Sequence, residues 1–384
     1  MKGSRLFISR IPGYLAARFG GLVPPPPMNI TYSITGRCNS DCKTCLIGKE
    51  GLGKDKDLDL PEIERFLSSV GPVSFFNISG GEPFLRNDLV EICQIAARTT
   101  RPDVIHIPTN GILTKRIVER TEAICRAVDP VRVTIKPSFD GVGELHDEIR
   151  GVKGNFPKLL ETYHALKELK TRVRNLEIGL GTVVSRFNVD RLPEILDMVE
   201  TLDPDSYITE VAEEREEMSN LGSGITPSAL EYGRILPRLR EFTLRKQAAA
   251  EGVSRLTLAF RAVYYELTHQ WLRTGERPLP CWAGITNVHV APDGEVWPCC
   301  VLAGRSRMGH LRENDFRFDR VWGSEEAARV RRQIAAGGCA CPLANQAYAN
   351  IALSPTAAMA AGRNFLEGRL SGLLNQALHR GGPA

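Results

Sequence analysis

Six short β-like runs alternate with amphipathic helical patterns between residues 29 and 211, and this alternation constrains the fold more than any other feature. The predicted strands cover 30–35, 73–78, 104–108, 131–138, 176–184 and 205–211. The predicted helices between them cover about 60–70, 87–99, 114–127, 154–170 and 188–202. Strands separated by helices become parallel neighbours joined by right-handed crossovers. The sequence therefore predicts an α/β fold with an open or partial β/α barrel, and its chemistry is expected at the carboxyl ends of the strands.

Composition and charge exclude several classes of protein. The chain has 384 residues, of which 42% are hydrophobic and 24% charged, with a formal net charge of +4. These values are typical of folded globular proteins and not of disordered or fibrous chains. A charge this small, spread over the whole length, is also not typical of a polyanion binder, so a nucleic acid partner is not expected.

Changes in pattern divide the chain into five predicted segments. These are an N-terminal segment (1–28), the barrel (29–212), a helical connector (213–279), a cysteine-containing module (280–351) and a helical tail (352–384). Arginines interrupt the apolar residues of the first segment, which excludes a membrane span or a signal peptide. An amphipathic helix that packs on the domain is favoured there, with contact to a lipid surface as the alternative.

Three cysteines, Cys38, Cys42 and Cys45, form a C-x3-C-x2-C motif directly after the first predicted strand. Three thiolates on one short loop can bind three irons of a cubane cluster and leave the fourth iron open. A structural zinc site needs a fourth protein ligand, and no histidine lies between Cys45 and His106. The motif therefore predicts a 4Fe–4S cluster with one open iron.

This motif resembles the signature of the radical S-adenosylmethionine (radical SAM) superfamily, whose cysteine loop follows the first strand of a partial (β/α)6 TIM-like barrel. The run Ser79-Gly80-Gly81-Glu82-Pro83, after the second predicted strand, is similar to the GGEP segment of that family. The resemblance implies that the backbone of this run and the neighbourhood of Glu82 hold the methionine ammonium of SAM. Glycine suits such a place because bare backbone can approach a ligand closely.

Further polar residues at strand ends are implied SAM contacts by the same resemblance. It implies that Ser138 and Asp140 contact the ribose. It implies that Arg150, in the run His146-Asp147-Glu148-Ile149-Arg150-Gly151, contacts the SAM carboxylate. It also implies that Thr182, Val184 and Ser185 flank the adenine. His146 and Asp147 have a helix cap as their alternative. Thr44 stands where many family members have an aromatic residue, so adenine packing is expected to differ there. The implied SAM-binding residues are Gly80, Gly81, Glu82, Pro83, Asn110, Ser138, Asp140, Arg150, Thr182 and Ser185.

A second group of cysteines lies in the module at 280–351. Its spacing resembles the Twitch domain, a short form of the SPASM domain, which carries an auxiliary 4Fe–4S cluster. The implied ligands are Cys281, Cys299, Cys339 and Cys341, with Cys300 as a neighbour. A structural zinc site and a cluster with an open position remain alternatives, because zinc and iron–sulfur ligand sets overlap. Cys93 and Cys125 lie on apolar helix faces and are predicted to be core residues.

Charged and aromatic residues at and after the sixth predicted strand are candidates for the substrate site. We predict catalytic roles for Glu210, Arg215 and Tyr207, because this strand end points toward the expected reaction centre. A solvated charged helix is the alternative for Glu210 and Arg215, and core packing is the alternative for Tyr207.

The resemblance implies an enzyme that reductively cleaves SAM to a 5′-deoxyadenosyl radical, which removes a hydrogen atom from the substrate. We expect a small-molecule substrate, carbohydrate or lipid-linked, because only about 28 residues precede the first strand and no separate peptide-recognition domain is expected. The auxiliary cluster would assist a dehydrogenation, an epimerisation or a cross-link. A peptide-modifying maturase, an RNA-modifying or methyl-transferring radical enzyme, and a non-catalytic metal-binding protein are the alternatives. Labile clusters imply a cytoplasmic enzyme with a flavodoxin- or ferredoxin-like electron donor.

Overall fold

A single nine-stranded sheet organises the part of the chain that the computed structural model describes, residues 2–50 and 57–380 without the side chains of 2–4, 50, 253 and 369–380. The strand order is β6-β5-β4-β3-β2-β1-β7-β8-β9. The first six strands are parallel and β7 is parallel to β1, whereas β8 and β9 are antiparallel. The strands are β1 Asn29–Ser33, β2 Phe75–Ser79, β3 Val104–Thr109, β4 Arg132–Pro137, β5 Leu176–Val184, β6 Ser206–Val211, β7 Asn287–Val290, β8 Glu295–Trp297 and β9 Gly309–His310.

Helices connect the parallel strands and extend the fold beyond β6. The crossover helix α3 shows why they form where they do: Asp59 and Glu62 make a reciprocal capping box at its start, and Ile63, Phe66 and Leu67 are buried on one face. The helices are α1 Lys2–Gly20, α2 Ile47–Glu50, α3 Leu60–Ser68, α4 Leu89–Thr100, α5 Thr114–Val128, α6 Glu144–Arg150, α7 Asn155–Lys170, α8 Leu192–Leu202, α9 Ala229–Ala249, α10 Gly252–Thr274, α11 Phe318–Trp322, α12 Glu325–Ala335, α13 Ala344–Ala352 and α14 Pro355–Arg380.

The predicted α/β fold with a partial barrel is confirmed. Each predicted barrel strand matches an observed one, with ends that differ by at most two residues. The prediction of a helical start to the connector was wrong for 213–228, which forms a loop with one short 3-10 turn at Glu216–Met218. Side chains compete with a helix there: Glu214 accepts hydrogen bonds from the N–H groups of Gly222 (2.7 Å) and Gly224 (2.6 Å).

The cysteine-containing module continues the barrel sheet. Strand β7 pairs with β1 from Asn29 opposite Asn287 to Tyr32 opposite Val290. The predicted hairpin turn at 292–294 joins β7 to β8, and Gly294 has the positive φ of +98° that this turn requires. One hydrophobic core runs from barrel residues such as Ile30 to module residues such as Met308. The pairing of β7 with β1 therefore brings the module against the carboxyl end of the first barrel strand.

The N-terminal helix α1 packs on the module. Tyr14 and Ala17 form a small buried cluster with Met28, Trp282 and Ile285. The Arg18 guanidinium donates to the Cys281 carbonyl at 2.8 Å, so α1 is also tied to the second cysteine group. Within 2–50 and 57–380, no helix is both long enough and apolar enough to cross a bilayer.

Candidate active site

The loop that follows β1 carries Cys38, Cys42 and Cys45, and neighbouring segments hold it on several sides. The Lys43 N–H donates to the Ile149 carbonyl at 2.8 Å at the end of α6, and the Leu46 N–H donates to the Met218 carbonyl at 2.9 Å. Further backbone bonds come from the glycine segment after β2. A loop fixed from several elements can present three thiols in one arrangement.

The three thiols lie in a mostly buried place, close enough to influence one another. Burial raises the pKa of the Cys38 and Cys42 thiols, and it raises the pKa of Cys45 to about 12. The largely buried Arg150 guanidinium opposes this rise at all three. Three adjacent thiolates in such a place need a metal charge to compensate them, which is the environment an iron–sulfur cluster provides. The donor set therefore fits a 4Fe–4S cluster.

Gly80 and Gly81 approach the cysteine loop itself. The Gly81 N–H donates to the Thr35 carbonyl and the Glu82 N–H donates to the Arg37 carbonyl, both at 2.8 Å. A Cβ atom would lie 2.3 Å from the Thr35 oxygen at Gly80, which also has a φ of +113°, and 2.0 Å from the Arg37 oxygen at Gly81. The sequence predicted that these glycines let the backbone approach SAM closely. In the structure their nearest neighbour is the loop that carries the thiols.

The carboxylate of Glu82 joins the loops after β2 and β3. It is 2% exposed and accepts hydrogen bonds from the Phe84 N–H (3.2 Å), the Thr109 hydroxyl (3.0 Å) and the Asn110 N–H (2.7 Å). Burial raises its pKa to about 6 against these hydrogen bonds. The carboxylate oxygens of Glu82 thus already accept hydrogen bonds within the protein. A ligand ammonium nearby would bind to backbone carbonyls of this segment more readily than to the carboxylate.

Asn110 and Pro83 also support the cysteine loop. The Asn110 side-chain amide donates to the side-chain Oδ1 atom of Asn39 at 2.7 Å and to the Ser40 hydroxyl at 3.0 Å. Pro83 is buried at the start of a 3-10 turn. Both predicted SAM-binding residues therefore lie at the site, and their observed contacts are to the protein.

Asp140 and Arg150 form a buried ion pair beside the thiols. Arg150 donates to one Asp140 oxygen at 3.0 Å, and the Val183 N–H donates to the other at 2.8 Å. Burial alone would lower the pKa of Arg150, but the neighbouring Cys42 thiolate and Asp140 carboxylate outweigh burial, so the pKa lies above its ordinary value. The Arg150 Nε atom is buried with no partner among the described residues. Both Asp140 oxygens thus accept hydrogen bonds within the protein, and one of these bonds orients Arg150. Ser138 is half-buried, and its ribose contact stays a prediction.

His146 and Asp147 have structural roles. The His146 ring accepts from the Asp140 N–H at 3.2 Å and contacts Asn155 at 3.2 Å. The Asp147 carboxylate accepts from the Gly154 and Phe156 N–H groups at 2.5 and 2.6 Å, which caps the start of α7. This agrees with the helix-cap alternative for this pair.

Three predicted polar contacts at the end of the sheet are already paired within the protein. The Thr182 hydroxyl donates to the Phe139 carbonyl at 2.5 Å and accepts from the Tyr207 hydroxyl at 2.8 Å. Ser185 is fully buried and lies against Asn188. Tyr207 is 7% exposed, packs edge-on against Phe242, and has its pKa raised by burial. These contacts favour packing for Tyr207 and leave no free hydroxyl on Thr182 or Ser185 for adenine.

Glu210 and Arg215 lie at the barrel mouth but do not pair with each other. Arg215 donates to the Glu213 carboxylate through Nε at 2.9 Å, and its backbone N–H bonds to Asn220. Asn220 in turn donates to the Thr44 carbonyl of the cysteine loop at 2.7 Å. Burial raises the pKa of Glu213, and Arg215 opposes that rise. The segment after β6 is therefore a loop with buried charges packed on the cysteine loop, and not a solvated helix.

The second cysteine group converges beside a cavity. The Cys299 thiol interacts with Cys281 and Cys341, and Cys341 interacts with Cys339. Burial raises the pKa of Cys281, Cys299 and Cys341. The cavity is lined by Cys281, Cys339, Cys341 and the Arg277 side chain, which donates to Cys339 Sγ at 3.1 Å. Three thiols at this space, with Cys299 interacting with two of them, fit a cluster ligand set.

Two sequence-family models match this chain. The model of the radical SAM superfamily matches residues 32–199, and the model of the SPASM iron–sulfur cluster-binding domain matches residues 281–342. Together they span the barrel and the module that carry the two cysteine groups. The chain belongs to the radical SAM superfamily. Radical SAM and SPASM domains bring a 4Fe–4S cluster, SAM and an auxiliary cluster, as the sequence predicted.

Characterised relatives of this radical SAM chain act on different substrates. It is 28% identical over 186 residues to the pre-heme d1 synthase of Dinoroseobacter shibae, a match that covers 48% of this chain and only 43% of the relative. It is 27% identical over 341 residues to the PqqA peptide cyclase of Bradyrhizobium diazoefficiens, which covers 82% of both chains. Streptococcus suis SuiB, solved with S-adenosylmethionine, has a similar fold with a TM-score of 0.56, at 18% identity over 80% of this chain and 68% of that one.

Lys136, which lies near the carboxyl end of β4, was not predicted from the sequence as a site residue. Its side chain extends over β5, where a Cβ atom at Gly179 or Gly181 would come within 3.3 and 3.2 Å of it. Burial lowers its pKa to about 8, and the nearby Glu210 carboxylate opposes that shift. The signal was present in the sequence, because a lysine inside an apolar parallel strand is rarely buried without a role.

Replacing Asp140 with asparagine is expected to weaken SAM binding without loss of the clusters. The NH2 group of the asparagine would face the N–H groups of Arg150, so that two donors meet. The amide oxygen can still accept the hydrogen bond from the Val183 N–H. Hydrogen bonds to charged groups contribute about 1.5–3 kcal/mol, so the SAM Kd should rise roughly tenfold or more. Equilibrium dialysis of reconstituted protein measures this. Glu148→Gln, on the exposed side of α6, is the matched control, and an unchanged Kd in Asp140→Asn would contradict the role given to Asp140.

Proposed function

We propose that this radical SAM chain oxidises a peptide substrate at an unactivated carbon. The likeness to PqqA peptide cyclase carries the proposal, because it extends over 82% of both chains, far beyond the barrel that the superfamily model matches. A peptide thereby replaces the small molecule as the first candidate, and the small molecule becomes the second.

The residues of this chain would position SAM and the substrate on opposite sides of the barrel mouth. We assign Cys38, Cys42 and Cys45 to the first cluster, and Cys281, Cys299, Cys339 and Cys341 to the auxiliary cluster. Arg150, oriented by Asp140, would meet the SAM carboxylate, because a guanidinium pairs with a carboxylate through two parallel hydrogen bonds. The glycine segment would hold the cysteine loop in place.

When bound, the first cluster and SAM would supply a 5′-deoxyadenosyl radical for removal of a hydrogen atom, and the auxiliary cluster would supply an acceptor for one further electron. Together with the loss of a proton, this chemistry would take two hydrogens from the substrate. Lys136 and Glu210 line the barrel interior, where we propose that they bind and orient the substrate. Holding one C–H bond within reach of the SAM site is the main contribution that the protein can make.

A low-potential one-electron donor is part of this proposal. We propose a flavodoxin- or ferredoxin-like protein in that role and a cytoplasmic location. The chemistry supports both, since clusters and free thiols persist in a reducing compartment.

The test measures 5′-deoxyadenosine formed anaerobically by reconstituted protein with dithionite and SAM. Peptides encoded by short reading frames beside the gene are added in turn, and the mass of each peptide after the reaction is measured by mass spectrometry. The expected result is a stimulated release of 5′-deoxyadenosine and a peptide that has lost two hydrogens. Cleavage of SAM that no peptide stimulates, together with turnover of a small molecule, would contradict the peptide proposal.

A small carboxylated molecule is the second candidate. The match to pre-heme d1 synthase favours it, although that match covers less than half of either chain. The cationic Lys136 on β4 and Arg261 on α10, whose guanidinium donates to the Tyr207 carbonyl of β6, suit the carboxylates of such a molecule. A carboxylated tetrapyrrole, added in place of the peptides, tests this candidate in the same assay.

We expect turnover to fall as the pH rises above about 8 if Lys136 binds a carboxylate of the substrate. The pKa of Lys136 is about 8, so its ammonium form is lost above that pH, and kcat/KM for the free enzyme should fall about tenfold per pH unit. Lys136→Arg should move the decline to higher pH, and Lys136→Met should remove it. If kcat/KM of the Lys136→Met variant declines with pH as it does in the wild type, then a group other than Lys136 causes the decline.

A further inference from the structure

We propose that Glu217, His289 and Cys300 form a separate binding site for one divalent transition metal of the zinc type. This inference goes beyond the proposed function and does not depend on it. The site uses none of the cysteines assigned to the two clusters. It lies between the cysteine loop after β1 and the module.

The geometry of the three side chains suits a tetrahedral ion. One potential ligand atom from each residue lies within 4.8 Å of the other two. The Glu217 Oε1 and His289 Nε2 atoms are 3.3 Å apart. Zinc bonds to oxygen and nitrogen are about 2.0–2.2 Å long, so two such ligands at a tetrahedral angle are about 3.4 Å apart. The observed pair already has this separation.

Three different elements deliver the ligands and hold them in place. Glu217 lies in the 3-10 turn at Glu216–Met218, and Cys300 begins the turn at Cys300–Leu302. His289 lies in β7, where it pairs with Thr31 on one side and Trp297 on the other. All three side chains are at least nine-tenths buried. The site is therefore preorganised by backbone pairing and not by flexible surface groups.

Charge provides a second, independent observation. The Glu217 Oε2 atom is buried and has no hydrogen-bond partner among the described residues. The guanidinium of Arg215 is paired with Glu213, whose charge it balances. A buried carboxylate oxygen without a hydrogen-bond partner is costly. One divalent ion would balance the charges of the Glu217 carboxylate and a Cys300 thiolate.

Cys300 lies beside the auxiliary cluster ligand Cys299 but has its own set of charged neighbours. These are Arg215, Glu217, Glu213 and Glu210, whereas Cys299 interacts with Cys300, Cys341 and Cys281. Consecutive residues in extended backbone point to opposite sides, and Cys299 has φ −165° and ψ 170°. Cys300 is thus available to a different ion from the one that Cys299 binds.

The ligand types indicate the class of metal and leave one position open. A thiolate, an imidazole and a carboxylate together suit zinc or ferrous iron better than magnesium or calcium. The Ser33 hydroxyl lies 2.8 Å from His289 Nε2, and an ion on that nitrogen would replace this hydrogen bond. Three protein ligands leave a fourth position for an exogenous donor, which is the arrangement of catalytic and not of structural zinc sites.

The test adds zinc to the anaerobically reconstituted holoprotein, removes unbound metal by gel filtration, and counts zinc, iron and sulfide per chain. One zinc is expected in addition to the cluster irons. His289→Gln and Glu217→Gln should raise the zinc Kd by at least about tenfold with the iron count unchanged, and Cys300→Ser should do the same. Glu216→Gln and Cys125→Ser, a neighbouring carboxylate and a buried core thiol, are the matched controls.

The retained iron count shows that each variant has folded, so loss of zinc cannot be mistaken for loss of structure. Zinc X-ray absorption should show one sulfur with nitrogen and oxygen ligands. Three results would overturn the proposal. The wild type could retain no zinc, the His289→Gln and Glu217→Gln variants could retain zinc as well as the wild type does, or the zinc could have sulfur ligands alone. The last of these would place the zinc in the cysteine groups.

Discussion

Replacing Cys38, Cys42 and Cys45 together with alanine should abolish SAM cleavage while the second cysteine group keeps its iron. In the proposed assignment the first group holds the cluster to which SAM binds, and no side chain of the variant can replace three thiolates. Iron in the reconstituted protein should fall from about eight atoms per chain to about four, as expected for two cubane clusters of which one is lost. Iron analysis, 5′-deoxyadenosine release and paramagnetic resonance with and without SAM measure the three consequences.

The control for this variant is Cys93→Ala with Cys125→Ala, since both thiols are buried in the core on α4 and α5. This double variant should keep all of its iron and its SAM-sensitive signal. Persistent 5′-deoxyadenosine release from the triple variant would contradict the assignment of the cysteine loop. A wild type with about four irons, all lost in the triple variant, would instead place zinc or no metal at the second group.

The barrel could be predicted because its strands and helices leave local signals. Strands β3 and β5 each carry a buried apolar face, such as Leu176, Ile178 and Leu180 in β5, and the alternation with helices predicts their parallel pairing. Helix starts were also visible, as at Asp59 with Glu62. The C-x3-C-x2-C spacing survives in the fold because its residues lie on one short loop.

The continuation of the sheet could not be predicted, because it joins residues far apart in the chain. The pairing of Asn29 with Asn287 has no local signal, and the short β7 reads equally well as part of an isolated hairpin. The contact of Ser33 with His289 depends wholly on that pairing. The sequence therefore could not predict any site that combines barrel and module residues.

Individual SAM-site roles were the least predictable part. A motif gives residue types and order, but it does not say whether a side chain faces a ligand or another loop. Glu82 and Asp140 illustrate this, since backbone N–H groups and Arg150 already occupy their carboxylate oxygens. Such partners come from loops after different strands, and only the folded chain brings them together.

Gly81→Ala is expected to prevent assembly of the first cluster. The added Cβ would lie 2.0 Å from the Arg37 oxygen and 3.1 Å from the Cys38 nitrogen, and both are backbone atoms of the loop that carries the thiols. The loop must move to relieve the overlap, which disrupts the hydrogen bonds from Gly81 and Glu82. Displacements of about 1 Å can cost about 100-fold in rate, so SAM cleavage should fall by at least that factor. Iron should fall by about four atoms per chain.

The same variant separates two explanations of the glycine segment. If Gly81 is needed because SAM approaches it, then Gly81→Ala should keep its iron and only bind SAM more weakly. If it is needed because the cysteine loop approaches it, as the contacts indicate, iron is lost even when no SAM is present. Gly362→Ala, where a Cβ would meet nothing within 4 Å, controls for the substitution itself. Full iron content in Gly81→Ala would show that the loop tolerates the methyl group and would return this segment to a role in binding SAM alone.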